Sequence, residues 1–130
     1  MAALSDYAEK LLLVWMMTTG SATRPTAWYV GLFTAAPSDS GGGTEVSGSG
    51  YARQSAAFDA ASSPGGTTSN SADISFTASG GNWGTITHIG IFDASTAGNL
   101  LWHGSMTASK VVNDGDTLQF STGNIDLTIA

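Results

Sequence analysis

The chain has 130 residues, a net charge of −6 from ten acids against four Lys and Arg, and no cysteine. A nucleic-acid surface needs clustered cations to neutralise phosphates, and Lys10, Arg24, Arg53 and Lys110 are scattered along the chain, so nucleic-acid and anionic-membrane partners are excluded, as are disulfides and zinc–thiolate sites. Charged residues make up 11% and glycine 17 of 130, a composition that suits one β-rich domain whose surface ends against other proteins.

Residues 5–18 read as the one helix. Asp6 and Glu9 are placed for an N-terminal capping box, and Gly20 for the residue just past the helix end. Leu4, Tyr7, Leu11, Val14 and Trp15 form an apolar stripe at helical spacing. Leu12, Leu13, Met16 and Met17 widen it until the second half is apolar nearly all round. That fits either a helix sunk in its own core or one shared with a neighbouring subunit. The apolar run Leu11–Met17 is far shorter than the ~20 residues of a membrane span, and Asp6 and Glu9 outweigh Lys10 before it, which is unlike a signal peptide.

Beyond Pro25 the pattern turns to β. Strands are expected at 27–34, 51–58, 72–77, 83–93, 100–106, 116–120 and 124–129, with Gly/Ser-rich loops at 38–50 and 60–71. In the run Trp83–Asp93, alternation puts Trp83, Thr85, Thr87, Ile89 and Ile91 on one face and Gly84, Ile86, His88, Gly90 and Phe92 on the other. Residues 94–99 form the turn of a hairpin, and Asn113-Asp114-Gly115 signals another turn. The expected architecture is all-β: a β-sandwich or jelly roll of about seven to eight antiparallel strands with one short N-terminal helix. It is read as a single domain, 1–130, divided into helix (1–20) and sandwich (26–130), without internal repeats.

Candidate chemistry is sparse. His88 and His103 fall on the two arms of the hairpin, roughly opposite each other, but a metal site needs a third ligand, and an ordinary cross-strand pair explains them. Asp39, Asp93 and Asp114 sit in turn-like contexts, and Asp6 and Glu9 on the helix, which suits turns and solubility better than a carboxylate pair in a cleft. Asn113–Asp116 lacks the distal glutamate of a calcium loop. The tryptophans Trp15, Trp28, Trp83 and Trp102 sit beside core-type neighbours, which favours burial or an interface over a sugar-stacking platform. No catalytic, metal or cofactor residues are assigned.

Several segments in this order carry a resemblance. They are Leu4–Leu12, Pro25–Pro37, Gly43–Gly48, Gly50–Gln54, Ser69–Ile74, the motif Trp83-Gly84-Thr85-Ile86-Thr87-His88-Ile89-Gly90-Ile91-Phe92-Asp93, Leu100–Gly104 and Asp114–Leu118. Together they resemble a family of short tailed-bacteriophage virion proteins labelled tail fiber protein or structural protein. Residues 119–125 depart from the pattern in lacking a proline. The resemblance implies a non-enzymatic virion component assembled in the bacterial host cytoplasm. A compact, non-repetitive chain fits poorly with a fibre shaft, so the expected role is a capsid decoration or cement protein bound to the major capsid protein. The alternatives are a small tail, tail-fibre or baseplate accessory protein, and a glycan-binding attachment module. A homotrimer is the favoured state. The candidate contact residues are Leu12, Leu13, Met16 and Met17 on the helix, and Glu45 and Val46 in the loop expected to order on contact.

Overall fold

A computed structural model describes residues 2–62 and 65–129. In chain order the elements are β1 (Ala2–Leu4), α1 (Asp6–Met17), β2 (Tyr29–Ala35), β3 (Thr44–Glu45), β4 (Gln54–Ser55), β5 (Thr67–Ser69), β6 (Ile74–Thr77), β7 (Gly84–Phe92), β8 (Leu100–Val112), β9 (Thr117–Phe120) and β10 (Asp126–Thr128). The fold is all-β with one N-terminal helix. A six-stranded antiparallel sheet runs β1-β8-β7-β2-β3, with β4 also paired to β2. Two antiparallel ladders, β6–β9 and β5–β10, supply the other side of the core.

The core follows from strand alternation. β6 and β9 alternate strictly between buried and exposed residues, so Ile74, Phe76, Leu118 and Phe120 share one face. They meet Val30, Leu32, Ile86, Ile91 and Val112 of the large sheet. Phe76 sits edge-on to Phe120, with centroids 6.2 Å apart, and stacks against Tyr51 at 6.4 Å. Trp83 is buried beside them and its indole N–H donates to the Ser49 carbonyl (3.1 Å). The buried Asn70 is fully satisfied: its amide donates to the Ala72 and Ser121 carbonyls and its oxygen accepts from the Ile125 N–H. It thereby ties the β9–β10 turn to β5, at no cost in unpaired polar atoms.

The seven expected strands are all present, with shifted ends. The expected strand at 51–58 shrinks to β4, and the return strand of the hairpin extends to Val112. Three further strands, β1, β3 and β5, lie in segments that carry no strand signal. The helix cap also differs. Ser5, not Asp6, is the N-cap, its hydroxyl accepting from the Ala8 N–H (3.1 Å). Its carbonyl accepts from the Glu9 N–H (2.9 Å). At the other end Thr18 is the C-cap in an extended conformation, and Gly20 is not in the left-handed region that would make it the turning residue. The expected alternation along β7 holds only in pieces. Pairing runs Ile86 with Lys110 and then His88 with Ser105, and this irregularity switches the facing of the strand. Ile86 and Ile91 therefore share the core, although an even period would separate them. The Asn113–Asp116 turn is present, closed by the Asp116 N–H donating to the Asn113 carbonyl (2.9 Å). It joins β8 to β9, which pairs with β6 rather than with β8.

On the opposite face of the sheet, Phe33 and Phe92 stack with centroids 6.1 Å apart. Glycine makes this possible. A β-carbon at Gly90 would stand 2.9 Å from both the Phe33 ring and a Leu100 methyl. No described helix is long and apolar enough to cross a membrane.

Candidate docking surface

α1 is held at one end and bare at the other. At its start, the Ser5 N–H donates to the Leu101 carbonyl (2.9 Å), the Ser5 hydroxyl to the Leu100 carbonyl, and the Asp6 N–H to the Asp39 carbonyl (2.9 Å). Within α1 only Ala8 is buried. α1 touches β8 and β1. Toward its C-terminus Leu13 (61% exposed), Trp15 (70%), Met16 (64%) and Met17 (73%) stand in solvent. At about 100° per residue, Trp15 points nearly opposite Leu13 and Met17, so the exposed apolar surface wraps the helix. The sequence from Leu11 to Thr23 contains no charged residue. Exposed apolar surface concentrated in this way makes the helix end a candidate for docking.

The helix is not sunk in its own core, since within it only Ala8 is buried. Leu13, Met16 and Met17 are exposed, and Leu12 is half-buried. Trp15, not singled out from the sequence as a contact residue, is among the most exposed. The apolar character of the whole second half was its available signal. Glu45 and Val46 are elsewhere. Val46 is buried in the core, with its N–H donating to the Leu32 carbonyl (2.9 Å). Glu45 lies on β3, opposite Phe33 and out of contact with α1.

Glu45 instead belongs to a clamp. Arg53 grips its carboxylate through two bonds, Nε to Oε2 (2.8 Å) and Nη2 to Oε1 (2.9 Å). The Tyr51 hydroxyl donates to Oε2 (2.6 Å) and accepts from the Leu32 N–H (3.0 Å). That hydroxyl caps β2 between its pairings with β3 and β4. The guanidinium lies 3.5 Å from the centre of the Phe92 ring, and Nη1 donates to the Ala94 and Ala97 carbonyls (3.0 and 2.8 Å). Ala97 has a positive φ of 51°, and the Arg53 bond helps hold it there. Burial raises the Glu45 carboxyl pKa, but the Arg53 and Tyr51 hydrogen bonds and the Arg53 charge outweigh it and leave the pKa below the usual value. Burial, then the Glu45 hydrogen bond, push the Tyr51 hydroxyl well up, so it remains a donor.

This sets a pH dependence. Because the folded pKa of Glu45 is depressed, the clamp contributes its full stability above the unfolded carboxylate range, near pH 4.5, and loses it as pH falls through the folded value. Thermal melts of the wild type and Glu45→Gln should differ clearly at pH 7, and the gap should close as pH falls below the unfolded carboxylate range and through the depressed folded value. A gap that stays constant across that range would show that the carboxylate charge contributes nothing.

The remaining candidates do not converge on chemistry. His103 Nε2 lies 2.7 Å from the exposed carboxylate of Asp39, while His88 Nδ1 is 2.8 Å from the Thr87 hydroxyl. The two imidazoles are offset, since His103 faces Gly90 and His88 faces Ser105. Among the described residues no group of three His, Asp or Glu side chains is placed to hold a metal. Asp93 locks its own turn, accepting from the Asn99 N–H (2.7 Å) and side-chain amide (2.9 Å). The Asp114 carboxylate accepts from the Gly80 N–H (2.9 Å). Trp28 and Trp102 are half-buried, lining a cleft with Phe58, Ile91 and Leu127. A family model described as Podophage GP4 fiber I protein gp80 matches residues 3–128. No curated protein matches the chain.

Proposed function

The chain belongs to the Podophage GP4 fiber I protein gp80 family, and from that membership we propose that it serves as a small β-structured subunit of the tail-fibre apparatus, fastened by the apolar end of α1. At the coarser level it is a non-enzymatic phage structural protein of the virion. The family description supports a fibre location over the capsid-decoration role expected from the compact, non-repetitive sequence. The observation that carries the docking role is the uncovered apolar end of α1, with Leu13, Trp15, Met16 and Met17 all more than half exposed.

Each buried aliphatic, Met or aromatic side chain contributes about 1.5–3 kcal/mol, and association itself costs several kcal/mol. One helix end thus gives modest affinity. A homo-oligomer, a trimer in the simplest case, presenting several such ends would hold far more firmly through effective concentration. The partners in this reading are other virion proteins, and assembly takes place in the host cytoplasm. Electron microscopy of intact particles carrying a gold-labelled tag on this chain should place the label at the tail, in a small copy number. Label spread over the capsid shell in hundreds of copies would refute the fibre assignment and restore capsid decoration.

A further inference from the structure

β1 and α1 form an arm joined to the body by a long, unanchored tether. Leu4 faces Trp102, Trp102 faces Ile91, and Ile91 faces Val30. The chain therefore leaves the sheet at Leu4 and re-enters three strand spacings away, about 14 Å at ~4.8 Å per spacing. Between these points lie α1, about 18 Å long for its rise per residue, and residues 18–28, which reach about 36 Å when extended. The direct return from the helix end is shorter than that, so the tether has slack. Among the described residues, no hydrogen bond joins residues 19–27 to the body; the first is from the Ala56 N–H to the Trp28 carbonyl (2.8 Å).

The arm itself is held by edge hydrogen bonds and by modest packing, with Ala2 against the core and Ala8 buried. Ala2, Ala3 and Leu4 pair with Gly104, His103 and Trp102. Ser5 bonds to the carbonyls of Leu100 and Leu101, and Asp6 to that of Asp39. Every one of these acceptors lies on β8 or the 38–41 turn. A second copy of the chain would offer the same set to the same arm. Each bond broken on leaving one body is therefore remade on the next, and exchange costs little. It also carries the bare end of α1, uncovered on its own body, between two bodies where Leu13, Met16 and Met17 can be buried.

We propose that copies of this chain exchange the β1–α1 arm, the β1 of each copy adding to the β8 edge of a neighbour. The proposal rests on the self-assembly part of the functional reading above and names its contact. Because the chain has no native cysteine, the pairing can be trapped cleanly. In the full-length Ala3→Cys/His103→Cys chain, facing residues on antiparallel strands are close enough to bridge, by oxidation or with a short bis-maleimide. The Leu4→Cys/Trp102→Cys chain is a second pair that leaves the His103–Asp39 contact intact. Non-reducing gels should show most of the chain as covalent dimers or larger species. Co-expressed single variants, Ala3→Cys with His103→Cys, should give one cross-linked dimer. If no intermolecular product forms with either pair, the exchange is wrong. Native mass of the unmodified chain then separates the two readings: an oligomer without intermolecular bridges sinks the exchange alone, whereas a monomer also sinks self-assembly.

Discussion

Arg53→Ala should lower stability by about 3–5 kcal/mol, the usual cost of removing one partner from a buried ion pair. At this chain length that is a fall in melting temperature of roughly 10–20 °C. The Arg53 side chain is 9% exposed and that of Glu45 24%, so the abandoned carboxylate is only partly rescued by water. Three further losses accompany it. The Phe92 ring loses its cation, worth about 0.5–2 kcal/mol. The Ala94 and Ala97 carbonyls lose their donor, and the 94–99 turn is released. Arg53→Lys should recover little, because an ammonium cannot make the paired Nε and Nη2 bonds and reach both carbonyls as well. Amide exchange in residues 94–99 should accelerate in both variants. A melting temperature within about 3 °C of wild type for Arg53→Ala would mean the clamp is an ornament of the surface rather than a brace.

How much of this was readable depended on how far each signal travels along the chain. Trp83–Phe92 shows its β character locally, through branched and aromatic residues bounded by glycine and turn residues. Its facing does not, because the switch between Ile86 and His88 is set by where Lys110 and Ser105 fall on β8. β3 and β5 are two and three polar residues long. They are strands because Phe33 and Leu127 bring partners to them, not because Thr44-Glu45 or Thr67-Thr68-Ser69 prefers the conformation. β1 is Ala-Ala-Leu, too short for any period. The clamp is likewise a product of pairing between segments, drawing Glu45, Tyr51 with Arg53, and Phe92 from three places. Glu45 is one of only two glutamates and Arg53 one of four cations, a scarcity that hinted at pairing without naming the partner. Val46 lay in a glycine-rich loop by composition, yet it fills the core. The helix end was legible because it violates amphipathic patterning over consecutive residues, which needs no partner strand to be seen.

Leu13→Lys/Met16→Lys should abolish incorporation into particles while leaving the fold intact. Lysine is chosen over an acid because α1 has no basic residue in its last turn, and a cation there complements the helix dipole where a carboxylate would oppose it. Both positions are more than 60% exposed, so melting should shift by no more than about 0.5 kcal/mol per site. At an interface the same changes remove two apolar anchors, about 3–6 kcal/mol together, and thus weaken binding by roughly 10²–10⁴-fold. Thr107→Lys/Ser109→Lys, on the exposed middle of β8, adds the same charge and should incorporate normally if α1 is the docking element. Co-purification with particles and circular dichroism of the isolated chain read the two effects separately. Full incorporation of the α1 variant would remove the helix from the interface. Unfolding of that variant would instead put α1 in the core.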